Sequence, residues 1–434
     1  MVCRKLVAAC FALVGALVLA GAAQAAPLPD SGANVHEGVA SCSNSVCHGK
    51  KAPSTDSPVL LNEYTTWIDE DQHSQAYATL RSDQSVRIAK NMGLPNAHTA
   101  DVCLDCHADN VPKEKRGRRF QITEGVGCEA CHGGSGKWLE SHAEEGTSHA
   151  DNLAKGMYPT EEPVERARLC LSCHLGTERK FATHEIMGAG HPRLAFELEL
   201  YTVFQPRHYE TDADYRARKP FIPSVNMWLA GLLVSSEQTL ELLQEDWFTK
   251  RSLVPELSFF QCHACHHPLD DLRWQPEGGA AALPPGSVRL NDASLLVLQS
   301  VLSILGNDAA AQIQRGINEL HQSTLTDRNA VVAAAAKLEK ILPPLEKAIV
   351  DRDYNAADMK RLREGIIKAA ANQRYRHFTA AEQAYMAVEN LCIELNDDKR
   401  LQANLDEWFE IVEKENEFNP QKFAASANRF LGAL

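Results

Sequence analysis

Apolar residues recur at helical intervals through the last third of the chain. Leu295, Leu296, Leu298, Val301, Leu302 and Leu305 predict one buried helix face, and Gly306 follows where a left-handed residue would close the helix. Pro343-Pro344 interrupts a further helical pattern. Asn355 predicts the N-cap of the next helix, and Thr379-Ala-Ala-Glu382 predicts a capping box opening a helix that runs past Cys392. Several amphipathic helices joined by short breaks predict a helical bundle over 288–434, with Cys392 a buried small hydrophobe inside it. Ahead of the bundle, Pro276, Gly278, Gly279, Pro284, Pro285, Gly286 and Ser287 predict a linker over 276–287.

At the other end, Arg4 and Lys5 precede an apolar run from Leu6 to Ala20, and Ala23-Gln24-Ala25 suits signal peptidase. Roughly 15 apolar residues are too few for a bilayer span, so residues 1–25 read as a cleaved signal peptide. No later segment has 18 consecutive apolar residues, so no transmembrane segment is expected in the mature chain. The expected location is periplasmic, or exported more generally.

The middle, 26–275, has no such regular pattern, and its cysteines set the reading. Cys103-Leu-Asp-Cys106-His107, Cys128-Glu-Ala-Cys131-His132, Cys170-Leu-Ser-Cys173-His174 and Cys262-His-Ala-Cys265-His266 share one spacing. A wider version, Cys42-Ser-Asn-Ser-Val-Cys47-His48, precedes them. This is the attachment signature of c-type haem: two thiols form thioethers with the vinyl groups, and the next His ligates the iron. Of 13 cysteines, Cys3 and Cys10 fall in the leader, ten fill the motifs and Cys392 remains. Zinc clusters would not explain why His follows the second Cys five times. Five covalent haems c are therefore expected, packed close enough to act as the core of a mainly α, multihaem cytochrome domain, with the bundle following it. The motif histidines are irregularly spaced, so the region is no tandem array.

Six-coordinate electron-transfer haems need a second axial ligand, His or Met. Of the 12 other histidines, ten lie between 36 and 267. Met92, Met157, Met187 and Met227 read as packing residues. His184 and His191 follow the fourth motif closely and are candidate distal ligands. His98 is placed to ligate or line a haem, and His263 or His267 to meet a propionate. His36 and His149 sit in polar stretches and, with His321 and His377, are expected to be solvated. Lys113, Lys115, Arg116, Arg118 and Arg119 form a basic run whose plain reading is a solvated loop. The sharper reading is a propionate-binding or partner-docking loop.

Cys103 to Leu175, with Trp67–His73 ahead of it, resembles the multihaem cytochrome c-554 family. The likeness rests on Gly125-Val-Gly-Cys-Glu-Ala-Cys-His-Gly133, on His142 ten residues after His132, on Cys170-Leu-Ser-Cys-His-Leu175, and on Trp67 followed by His73. It implies a mostly helical periplasmic electron carrier with stacked haems, and makes His73 and His142 distal ligands to haems other than their sequence neighbours. His208, beside Tyr209, is similar to a late distal His of the family. Three features depart from the tetrahaem pattern: the wide first motif, the fifth motif and the bundle.

Charge narrows the partners. The full sequence carries −13, and two units more without Arg4 and Lys5. That argues against nucleic acid and for redox partner proteins, a basic one in particular. The bundle is expected to serve docking or oligomerisation. Two functions compete: electron transfer along closely packed haems, and an oxidoreductase of a nitrogen or sulfur compound at a five-coordinate haem. No Cys-x-x-Cys-Lys, a common mark of the active haem in multihaem nitrite reductases, occurs.

Overall fold

The computed structural model describes residues 25–55, 57, 59–250, 254–266, 283–284 and 286–434. The expected leader, apart from Ala25, lies outside the described residues, as do His267 and most of the expected linker. The chain is mainly α; among the described residues there is no strand, only isolated bridges joining His36 to Arg116, Gly176 to Phe181 and Phe260 to Leu290. No helix among them is long and apolar enough to cross a membrane.

Up to residue 204 the helices are short: α1 Glu63–Glu70, α2 Asp83–Asn91, α3 Asp101–His107, α4 Cys128–His132, α5 Pro163–His174, α6 His184–Gly188 and α7 Leu198–Phe204. Local chemistry starts several of them. The Ser82 hydroxyl accepts the Ser85 N–H at 3.2 Å to open α2. Pro163 stands in the first turn of α5, where its missing N–H costs nothing.

Longer helices follow: α8 Ser224–Leu242, α9 Ala293–Ile304, α10 Ala309–Ser323, α11 Arg328–Glu339, α12 Ala356–Ala371, α13 Phe378–Glu394, α14 Asp398–Val412 and α15 Pro420–Ala433. Helix α8 is buried on every side from Val225 to Val234, the pattern of a helix whose first half has no solvent face. It buries Trp228, Leu229, Ala230, Leu233 and Leu240 and is surrounded by α5, α7, α9, α11 and α13. A Cβ on Gly231 would come within 2.5 Å of Leu198 Cβ, so glycine lets α7 and α8 touch. Thus α8 lies in sequence among the haem motifs and in space at the centre of the bundle.

The bundle's ends match expectation in part. Gly306 adopts φ +70°, the Gly306 N–H donates to Ser303 (3.1 Å) and the Asn307 N–H to Leu302 (2.9 Å), closing α9 with a Schellman motif. The Asn355 side chain accepts from Ala357 and Asp358 at the start of α12. Cys392 is fully buried. The capping box at Thr379 is not formed. His377 is the N-cap of α13, its ring nitrogen accepting the Ala380 N–H at 3.3 Å, and Glu382 turns away to pair with Arg193 at 2.7 Å.

Candidate haem-binding site

Helices α3, α4 and α5 end on His107, His132 and His174, so each motif forms the last turn of its helix. Cysteines three apart share a helix face, which aims both thiols one way while the next residue leaves the helix end. The fourth tight motif makes a 3₁₀ turn at Cys262–Ala264. The wide motif cannot use one helical turn. Instead its loop folds back on itself, with the His48 N–H donating to the Cys42 carbonyl (3.1 Å) and the Gly49 N–H to the Asn44 carbonyl (3.0 Å).

Each of the five motif histidines faces one of the five candidate distal histidines. Ring centroids are 6.1 Å apart for His48 and His142, 6.3 Å for His107 and His191, and 6.2 Å for His132 and His208. They are 6.3 Å apart for His174 and His73, and 6.0 Å for His266 and His184. These rings do not touch. Two imidazoles on opposite sides of one metal ion, each nitrogen about 2 Å away, have centroids about 6 Å apart. The separation therefore fits an iron held between each pair.

The nitrogens away from the gap support the same orientation. His48 Nδ1 meets Glu63 at 3.0 Å, and His142 Nδ1 meets the Leu139 carbonyl at 2.5 Å. His107 Nδ1 meets the Ala76 carbonyl at 3.1 Å, and His191 Nδ1 that of Pro192 at 2.7 Å. His73 Nδ1 meets Asp71 at 2.8 Å. A proton held at Nδ1 leaves Nε2 free to ligate. Burial pushes His132 down to about 3 and His174 down to about 4, so both rings are neutral, as ligation requires. Although burial opposes it, hydrogen bonds from His73 and Gln205 hold Asp71 at about 2, a carboxylate at any physiological pH.

Neighbouring motifs come into contact. The Cys42 thiol lies beside that of Cys128, and the Cys106 thiol beside that of Cys173. The first motif thus backs onto the third and the second onto the fourth. Trp67 explains its place ahead of His73: its indole donates to the Val126 carbonyl at 3.1 Å, and the Val126 N–H donates to the His73 carbonyl at 3.1 Å. That clasp fixes the His73 segment onto the entry to the third motif.

The fifth motif lies against the helical half. The His263 ring packs near Phe378 and Phe418, and Arg193 pairs with Glu382 at 2.7 Å and Glu415 at 3.3 Å. Burial, with Glu415 beside it, pushes the Cys262 thiol up to about 11.

Four histidines expected in solvent are instead half-buried or buried against carboxylates. His36 is fully buried, with Nδ1 2.8 Å from Asp109 and Nε2 3.2 Å from the Pro29 carbonyl. His149 is half-buried and pairs with Glu161. His321 and His377 both close on Asp292, at 2.9 and 3.0 Å, inside the bundle. His98 is half-buried near Tyr77. Sequence reasoning also passed over Glu63 and Asp71, the carboxylates that orient His48 and His73; Asp71, two residues from its histidine, was the readable one.

A family model described as cytochrome c554 and c-prime matches residues 41–133, the stretch holding the first three motifs. Over those residues the chain is similar to the cytochrome c-554 family. The match covers about a fifth of the chain; the fourth and fifth motifs and the helical half lie beyond it. The match supports a c-type cytochrome role for the chain, covalent haem binding with electron transfer. No curated protein and no solved structure matches it.

Proposed function

We infer that this c-554-type cytochrome carries five haems c, each iron between two histidines, and passes electrons along closely packed haems outside the cytoplasm. The supporting observation is the five-fold pairing of a motif His with a second His at one ring separation, 6.0–6.3 Å. Cys42 and Cys47, Cys103 and Cys106, Cys128 and Cys131, Cys170 and Cys173, and Cys262 and Cys265 are the attachment residues. His48, His107, His132, His174 and His266 are the proximal ligands; His142, His191, His208, His73 and His184 respectively are the distal ones. Haem, when bound, supplies a one-electron iron couple. The chain's own part is to fix both rings, to hold their outer protons on carboxylates and carbonyls, and to bring neighbouring motifs into contact.

The oxidoreductase alternative needs an iron with one open position. Among the described residues, no motif histidine lacks a facing ring, which weighs against it. The expected leader and the attachment of c-type haem outside the cytoplasm fit a periplasmic location, with redox proteins as partners. Carbon monoxide tests the reading: reduced protein should give the same spectrum with and without it. A carbon-monoxide adduct amounting to one haem would overturn full bis-histidine ligation.

A further inference from the structure

The five-haem reading leaves open where a partner docks. Cys47 and Cys265 are the exposed motif cysteines; the other eight are half-buried. The first and last attachment sites therefore open to solvent. Beside Cys47, Val46 is 78 % exposed, more than any other large hydrophobic side chain among the described residues. An apolar tip beside an open thioether edge is what a docking partner can cover.

Charge around this corner runs against the rest of the molecule. Residues 36–41, which lead into the motif, are laced to 115–120. The His36 N–H donates to the Lys115 carbonyl and the Gly117 N–H to the His36 carbonyl, both at 2.8 Å. The Arg119 guanidinium donates to the Ala40 carbonyl at 3.4 Å. A Cβ on Gly38 would lie 2.7 Å from the backbone of Arg119 and of Phe120. This lacing puts the loop that carries exposed Lys113, Arg118 and Arg119 beside the residues leading into the first motif, and exposed Lys51 follows His48 by three residues. Lys115 and Arg116 are instead committed to the Gly32 and Val111 carbonyls. Glu114 is the exposed acid of the loop; half-buried Glu37 sets its carboxylate against Gly117, Glu124 accepts the Val39 N–H and Glu63 holds His48. The corner is thus cationic on a chain of net charge −13.

We propose that an acidic redox protein docks at the first haem motif, over Val46 and Cys47, steered by Lys51, Lys113, Arg118 and Arg119. The molecule as a whole repels such a partner, so productive encounter is confined to this corner. Complementary charge of this kind raises association rates by roughly ten- to a thousand-fold at low salt. The proposal rests on the five-haem reading, and its test separates the two.

The probe is the hydroquinone of a purified flavodoxin, an acidic one-electron donor, mixed with the full holoprotein in stopped flow across a range of salt. K51E/K113E/R118E keeps Arg119, which bonds the backbone; K422E, exposed on the C-terminal helix α15, is the control. Intact mass and redox titration of each sample establish haem number and potentials. The wild-type and K422E rates should fall at least tenfold with salt, and the triple variant should be about tenfold slower at low salt with little salt dependence. Equal rates with five haems present overturn the docking corner alone. A persistent salt dependence accompanied by shifted potentials means that the cations serve haem propionates, and also overturns it. A wild-type mass without haem on Cys42 and Cys47 overturns the five-haem reading, and the docking corner with it.

Discussion

The two regions of this chain solve the problem of a core in different ways. From Val164 to Phe430 one continuous cluster of buried hydrophobes includes Trp228, Leu229, Val301, Ile313, Ile366, Leu391 and Trp408. Around the first three motifs, the buried cluster is six residues: Tyr77, Leu80, Ala89, Ala97, Leu104 and Ala108. What holds that region are clasps between polar side chains and backbone. Glu129, inside the third motif, accepts N–H groups from Glu37, Gly38 and Ser135 at 2.9, 2.7 and 2.7 Å. Such a scaffold spaces histidine pairs about an object that the polypeptide does not supply, whereas the helical region buries its own side chains. The difference also shows that order along the chain is not order in the core, because α8 comes before the fifth motif and packs with the bundle.

The largest effect should come from cutting the two regions apart. Truncation after Gly279 removes α9 to α15 and strips the partners from one side of α8, including those of Trp228 and Leu229. Each such side chain is worth about 1.5–3 kcal/mol of burial, so the loss exceeds the margin of an ordinary domain. The fragment should be insoluble or should lack haem at Cys262, as read by circular dichroism and intact mass. A folded fragment with full haem content and unchanged potentials would make the bundle separable, and a docking or oligomerisation module after all.

Within the bundle, the Asp292 carboxylate is 3 % exposed and bridges His321 and His377. Replacing it with Asn breaks a buried charged cluster and should cost about 3–5 kcal/mol in urea unfolding, with haem spectra little changed. Although burial opposes it, the two histidines hold the Asp292 carboxyl far below its usual range. Its folded value lies below its unfolded one. The stability that it gives is therefore complete above about pH 4, the ordinary carboxylate value, and fades as pH falls below that. The gap between wild type and Asp292→Asn should be level above pH 4 and narrow on acidification. A gap under 1 kcal/mol at neutral pH would make the cluster incidental.

What the sequence tells about each region follows the range of the interactions. The Gly306 closure and the Asn355 cap are local, and both read directly; the spacing of the motif cysteines and histidines is equally local. A surplus of histidine near the motifs indicated distal ligands, but the pairing joins His48 to His142 and His107 to His191 across long loops, which spacing cannot encode. The same blindness misplaced His36, His321 and His377: Asp109 and Asp292, which bury them, are 29 to 85 residues away. Thr379 to Glu382 had the right residues for a capping box. His377 took the cap because Asp292 fixes its ring, and Arg193 took Glu382.

The pairing itself is tested next. His142→Ala should turn the haem at His48 from low to high spin, and His73→Ala the haem at His174, with about one-fifth of the low-spin signal lost in each and the helical content unchanged. Electron paramagnetic resonance of the oxidised protein counts this directly. Low-spin signals intact in both variants would remove those two residues from the ligand set.

The smallest change keeps every ligand and alters one oxygen. Asp71 holds His73 Nδ1 at 2.8 Å and takes a second hydrogen bond from Gln205 at 2.9 Å. A carboxylate on the outer nitrogen makes the imidazole a stronger donor, and a stronger donor favours the ferric state. Asp71→Asn keeps the shape and removes the charge, so the potential of the His174–His73 iron should rise. A tenfold shift in relative affinity for the two oxidation states corresponds to about 60 mV for one electron. The spin state should stay low, which separates this variant from His73→Ala, and the other four potentials should move less. A redox titration superimposable on wild type would mean that Asp71 only positions the ring. The fine tuning of that iron would then come from burial and neighbouring haems rather than from the clasp at its outer nitrogen.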